Sequence, residues 1–97
     1  MRANGARGEV VATLAGAERR LCLTLGALAE METALGCDGL AALAGRMRAL
    51  SARDLTVVLA ALLRGGGETT LAAELVGAPV DPCEAAEAVA EAFAATT

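Results

Sequence analysis

Two short runs near the start of the chain alternate between apolar and polar residues. In the first run Val10, Ala12 and Leu14 share one face, and residues 18–23 alternate in the same way. Alternation predicts β-strands, because successive side chains of a strand point to opposite faces of a sheet. The loop of three residues between the runs, Ala15 to Ala17, contains a glycine that can adopt a positive φ, so residues 8–24 are predicted to form a β-hairpin.

A helical spacing of apolar residues then begins abruptly at Leu25. Leucine and methionine recur every three or four residues as far as Leu35, which places them on one side of a helix. Thr24 suits the N-cap position, and Gly36 suits a left-handed C-terminal cap. Because the strand joins the helix so directly, we expect this helix to fold back over the leucine face of the hairpin.

Four further helices are predicted from apolar stripes bounded by local start and stop signals. The glycine-rich segment at residues 65–70 separates the last two of them from the rest and is predicted to act as a hinge. The four helices are residues 39–50 after Asp38, residues 51–64 with Ser51 and Asp54 as a capping box, residues 71–76 after Thr69 or Thr70, and a helix from Asp81 and Pro82 to about Ala94.

The predicted fold is therefore α+β, with an N-terminal β-hairpin followed by a mainly α-helical bundle of four to five short helices. We expect one small domain over residues 1–97. Its parts are a flexible leader at 1–7, the β-hairpin at 8–24, a helical core at 25–64, the Gly-rich hinge at 65–70 and C-terminal helices at 71–97.

The composition argues against most forms of catalysis and several classes of partner. The 97 residues include no histidine, lysine, tryptophan or tyrosine, one phenylalanine, and eight arginines against twelve acidic residues, for a net charge of −4. Without an imidazole or an amine to act as base or nucleophile, we predict no enzyme activity, no catalytic residues and no cofactor. An acidic chain without a basic stripe or aromatic platform is not expected to bind nucleic acid.

The sequence also lacks the patterns of a metal site or a membrane segment. The three cysteines are widely spaced and have no histidine beside them, so they match no metal-binding pattern. The longest strongly apolar run, Leu55–Leu63, is too short to cross a bilayer, and no apolar stretch precedes Val10 as a secretory signal would. We expect a cytoplasmic protein with no membrane contact.

Glu32 departs most from the pattern of its own helix. Its position on the helical wheel falls between those of Leu25 and Leu28, at the edge of the apolar side. One interpretation is a buried or partner-facing carboxylate that pairs with an arginine, since an unpaired buried carboxylate is costly. The other is an edge position from which the carboxylate reaches water.

Two more groups of residues are candidates for contact with a partner. The third helix is apolar on almost all sides, as in a helix that is either central in the fold or covered by another chain. The last helix carries an acidic stripe opposite an apolar face formed by Ala86, Val89 and Phe93. This stripe is either a solvated face or a docking surface for a basic partner segment. The residues concerned are Val57, Ala60 and Ala61 in the third helix and Glu84, Glu87 and Glu91 in the last.

The order of these elements resembles a known family. The hairpin is followed by LTLGALAEMETALG, a short helix and LSARDLTVVLAALLRGGG, and this arrangement is similar to small tail proteins of gene transfer agents, which are phage-derived particles encoded by bacteria. The likeness is strongest from Asn4 to Gly67 and weaker beyond. It implies a non-enzymatic role in tail morphogenesis.

The resemblance implies two functions. The first is a tail assembly chaperone that binds the helical tape measure protein and covers its apolar stripes. The alternative is a minor structural component of the tail tube. The implied partners are the tape measure or tail tube proteins, together with further copies of this chain in a homo-oligomer.

Overall fold

The computed structural model describes residues 2–4 and 9–95, and it confirms the α+β class. A three-stranded antiparallel sheet consists of β1 (Arg2–Asn4), β2 (Glu9–Leu14) and β3 (Ala17–Cys22), in that order. Of the leader predicted at residues 1–7, residues 2–4 form β1, which pairs with β2; the other residues of the leader lie outside the described residues.

The predicted β-hairpin is present as β2 and β3. Val10 lies opposite Leu21 and Leu14 lies opposite Ala17. The turn between the strands has two residues, one fewer than the predicted loop, and both Ala15 (φ 53°) and Gly16 (φ 81°) are left-handed. Two left-handed central residues define a type I′ turn, whose twist matches that of the paired strands.

Five α-helices follow in the described residues, and the predicted N-caps begin three of them. The side chains of Thr24, Ser51 and Asp81 accept hydrogen bonds from backbone N–H groups of the first turn at 2.7–3.1 Å, and Gly36 (φ 68°) ends the first helix. These bonds satisfy donors that a helix start otherwise leaves unpaired. The helices are α1 (Leu25–Leu35), α2 (Gly39–Met47), α3 (Ala52–Gly65), α4 (Thr69–Glu74) and α5 (Pro82–Ala94), with a 3₁₀ turn at Leu75–Gly77.

Helix α3 is the centre of the fold. Its residues 58–63 are all buried, and the helix packs against α1, α4, α5 and β3. The sequence left two explanations for the apolar surface of this helix: a central position in the fold or cover by another chain. The central position applies to Ala60 and Ala61, which are 8% and 0% exposed. Neither residue is accessible to a partner, whereas Val57 is half-buried.

The expectation that α1 covers the hairpin is wrong. Helix α5 lies across β2, the end of α3 lies against β3, and α1 packs beside α3. The buried face of α5 includes Ala85, Ala88 and Ala92, and these small side chains let the helix lie close to the sheet. The leucine that opens α1, Leu25, is 85% exposed, while Met31 is buried against the core.

The glycine-rich segment brings the end of α3 against the backbone of β3. A Cβ on Gly65 would lie 3.3 Å from the carbonyl carbon of Cys22 and closer still to its oxygen, and Gly66 stands in the same relation to Arg20. Gly67 (φ 89°) takes the left-handed position of the helix end. Glycine is therefore required here by close approach and by backbone conformation. The hinge proposed at residues 65–70 stays a prediction.

Glu68 holds the same segment to the sheet. Its carboxylate accepts a hydrogen bond of 3.0 Å from the backbone N–H of Arg20 at the outer edge of β3 and lies 3.9 Å from the guanidinium of Arg19. Glu68 also occupies the N-cap position of α4 without making a side-chain cap. The prediction that Thr69 or Thr70 caps α4 is wrong. The contact of Glu68 with β3 places Glu68 itself at the N-cap, so both threonines lie inside the helix.

Candidate protein-docking groove

An open apolar groove lies between α5 and the segment that joins α2 to α3. Its volume is about 290 Å³, and every residue that lines it is apolar. A groove of this composition favours the apolar side chains of another protein segment over a charged small molecule. One wall contains Met47, Leu50 and Leu55, and the other contains Ala86, Val89, Ala90 and Phe93 of α5.

The α5 wall corrects the predicted orientation of that helix. The sequence predicts Ala86, Val89 and Phe93 as its apolar face, and the structure places all of them along the groove. The face of α5 that is buried in the core contains Ala85 and Ala88. Val89 belongs both to this face and to the groove wall. Alanines occupy much of the circumference of α5, so its apolar pattern is similar over a wide arc. The sequence alone therefore does not determine which part of that arc faces the sheet.

A second, smaller depression continues the apolar surface on the other side of Leu55. It has a volume of about 180 Å³ and is bordered by Val76, Val80 and Pro82 among other residues. Val76 is 92% exposed. Leu55 lines both depressions, so together they form one apolar strip across the start of α3.

Arg46 holds the first wall of the groove in place. Its guanidinium donates 2.8 Å to the carbonyl oxygen of Leu35 at the end of α1 and 2.7 Å to the carboxylate of Asp54 in α3. The hydrogen bond to Asp54, followed by the attraction of that carboxylate, raises the pKa of Arg46 above its ordinary value. Helix α2, which ends at Met47, is thereby tied to both of its neighbours.

Glu32 connects α1 to the start of α2. Its carboxylate accepts a 2.6 Å hydrogen bond from the backbone N–H of Gly39, so it bonds to a helix N-terminus in place of the arginine that one interpretation expected. Asp38, the predicted cap of α2, makes no side-chain cap. Glu32 is half-buried and lies outside the lining of the groove.

The acidic stripe of α5 lies away from the groove, because its glutamates occupy the opposite side of the helix from the residues that line the groove. The predicted acidic stripe of α5 is exposed, and so are Arg48 and Arg53 on the segment that forms the other wall. In the part of the chain that the structure describes, none of these side chains takes part in a salt bridge. The stripe consists of Glu84, Glu87 and Glu91.

A comparison with known protein families gave a match. A family model described as "Phage tail tube protein, GTA-gp10" matches residues 7–97. The chain belongs to this family of gene transfer agent tail proteins. The resemblance noted in the sequence is confirmed by the match. No curated protein and no solved structure was found to match the chain.

The predicted site residues of this tail family member do not meet at one place. The acidic stripe lies on the side of α5 turned away from the groove, Glu32 lies at the junction of α1 and α2, and Val57 is half-buried on α3. The groove itself was missed as a site, although Met47, Leu50 and Leu55 belong to the apolar stripes predicted for the second and third helices. The sequence pattern does not show which elements lie next to each other. The groove is formed by residues of three elements that come together only when α5 packs.

The described residues hold no cluster suited to a metal ion. Among the same residues, no helix has the length and apolar character needed to span a membrane.

Proposed function

We propose that this chain is a structural component of the tail of a gene transfer agent, where it contacts other tail proteins or further copies of itself. The match of the tail tube family to residues 7–97 carries the proposal. The exposed apolar groove supports it, since a lasting surface of this kind is typical of a protein that becomes covered in an assembly. The chain would then pass from the cytoplasm into the particle.

Mature particles provide the test. We expect quantitative mass spectrometry of purified particles to find this chain at a copy number comparable with that of other tail proteins. Deletion of its gene should remove or shorten the tail in electron micrographs, and a plasmid-borne copy should restore it. A chain that is required for tails but absent from mature particles would overturn the structural role.

The second candidate is a tail assembly chaperone that binds the tape measure protein. The groove is the observation in its favour, because an apolar groove can receive one face of an amphipathic helix. Co-expression with the tape measure should then raise its solubility and give a complex on gel filtration. Unchanged solubility with no complex would reject this candidate.

A groove variant makes the chaperone test specific. Ala90 is exposed and lines the groove, whereas Ala29 is exposed on α1 and does not. Ala90→Arg should abolish a groove-bound complex, and Ala29→Arg should leave it intact. Equal loss with both variants would contradict the assignment of binding to the groove.

A further inference from the structure

We propose that α5 is an exchangeable helix, which on a second copy of this chain occupies the same seat that it occupies on its own. The seat is the surface of β2 and α3 that α5 covers. An exchange of this kind keeps the contacts of α5 with its seat, but those contacts then join two copies. The proposal rests on the structural role proposed above and deepens it by naming the element that links the copies.

Side-chain polar bonds tie each of the other four helices to a neighbouring element. Arg64 of α3 donates a 3.2 Å hydrogen bond to the carboxylate of Glu30 in α1, and Arg46 joins α2 to both α1 and α3. Glu68, at the start of α4, bonds to the backbone of β3. The three glutamates of α5 are exposed, and within the described residues none of them forms a salt bridge. Detachment of α5 would therefore break none of the salt bridges found in the described residues.

Small apolar side chains make up most of the face of α5 that is buried in the core. Its members are Ala85, Ala88, Val89 and Ala92. An alanine removes far less apolar area from water than a leucine does, and the central helix α3 buries Leu59, Leu62 and Leu63. When α5 leaves the core as one unit, it therefore exposes little apolar surface of its own.

The seat, in contrast, cannot stay open. Helix α5 lies across β2, whose inward side chains Val10, Ala12 and Leu14 are 0–6% exposed. An empty seat would expose these side chains to water, so an opened copy is unfavourable until a helix fills the seat again. The close approach of helix and sheet admits small side chains and excludes large ones. The α5 of a second copy fits because it is identical to the helix that the seat already holds, and exchange of an identical element is a low-cost route to a dimer.

The connection into α5 contains the turn that an exchange would straighten. The backbone N–H of Val80 donates a 2.9 Å hydrogen bond to the carbonyl oxygen of Ala78, which closes a three-residue turn around Pro79. Ala78 and Asp81, on either side of the turn, already have extended backbone conformations. Opening this one hydrogen bond lets residues 78–81 run straight and carry α5 to a neighbouring copy. The glycine-rich segment before α4 keeps its contacts with β3 throughout.

Isotope-filtered nuclear magnetic resonance gives the decisive experiment. Carbon-13-labelled and unlabelled wild-type chains are unfolded together in urea and refolded at high concentration, and the dimer is separated by gel filtration. We expect nuclear Overhauser effects between the methyl groups of α5 in one copy and those of β2 in the other. A dimer that docks through its outer surface would show these effects within one chain only. That result would overturn the proposal, and so would a chain that is monomeric at every concentration.

The length of the connection provides a second test. Deletion of Pro79 and Val80 removes the turn, so α5 cannot fold back onto its own chain, and the dissociation constant of the dimer should fall by about tenfold or more. Insertion of Gly-Ser-Gly-Ser after Ala78 should raise it by a similar factor, because a long connection favours the closed monomer. The same insertion after Ala49, in the connection between α2 and α3, is the matched control and should leave it unchanged.

Sedimentation velocity over a concentration series measures these constants, and circular dichroism checks that each variant is folded. A dimer whose dissociation constant ignores the insertion after Ala78 would contradict the exchange, even if the deletion variant fails to fold. If the chain is abundant in particles but α5 stays on its own copy, the structural role stands and the exchange fails. If α5 exchanges but the chain is absent from particles, the reverse holds.

Discussion

Replacing Gly66 with alanine tests whether the glycine-rich segment is a tight contact or a free hinge. A Cβ at this position would lie 2.5 Å from the carbonyl carbon of Arg20, 3.0 Å from the backbone nitrogen of Leu21, and closer still to the oxygen of Arg20. All of these atoms belong to the backbone of β3, which cannot rotate away as a side chain would. Either the strand or the end of α3 must therefore move.

The size of the effect follows from two opposing contributions. Overpacking of a close contact costs about 1–3 kcal/mol, and a clash with backbone belongs at the upper end of that range. Alanine also restricts the unfolded chain, which returns about 0.4–1 kcal/mol. The net loss is about 2 kcal/mol, which lowers the melting temperature of a domain of this size by roughly 8–16 °C.

Gly45 provides the matched control. It lies in α2, and a Cβ there would have no atom within 4 Å apart from its own helix and chain neighbours. Gly45→Ala should stabilise the protein by about 0.5–1 kcal/mol, because alanine favours the helix. Both variants can be melted side by side while far-ultraviolet circular dichroism is recorded. If Gly66→Ala melts at or above the wild-type temperature, the contact is loose and the hinge interpretation is the better one.

Two further predictions concern local contacts. Glu32→Ala should lower the free energy of unfolding by about 1 kcal/mol, because it removes the hydrogen bond at the start of α2. Asp38→Ala removes no side-chain cap and should change the free energy of unfolding little. Urea denaturation measures both variants, and equal effects would contradict the assignment of the cap to Glu32. Met31→Ala should lower the free energy of unfolding by about 2–5 kcal/mol, because the side chain is fully buried. Leu25→Ala should be nearly neutral, because Leu25 is 85% exposed. A similar loss of stability from both variants would mean that α1 is packed differently.

Local sequence signals predicted the elements well where the cause was itself local. The threonine, serine and aspartate caps of α1, α3 and α5 accept bonds from residues two or three positions away, so their signals are complete within a few letters. The hairpin is similar, since its alternation and its turn glycine lie within one short stretch. Helix ends and strand faces of this kind can be predicted without knowledge of the rest of the fold.

The features that were missed depend on contacts between distant residues. The carboxylate of Glu68 bonds to Arg20, 48 positions away, and this bond determines how α4 begins. The alanine-rich surface of α5 gives a weak preference for one face, so its rotation was set by packing on β2. The groove followed from that rotation, which explains why its lining residues were predicted as stripes without being recognised as one surface.

The covering of β3 limits how the sheet can grow. One margin is closed, because the end of α3 and the carboxylate of Glu68 occupy the outward backbone groups near Arg20. The other margin is β1, which is only three residues long. Short or blocked margins discourage indiscriminate strand addition, so neither margin of this sheet offers a long template for fibrous misassembly.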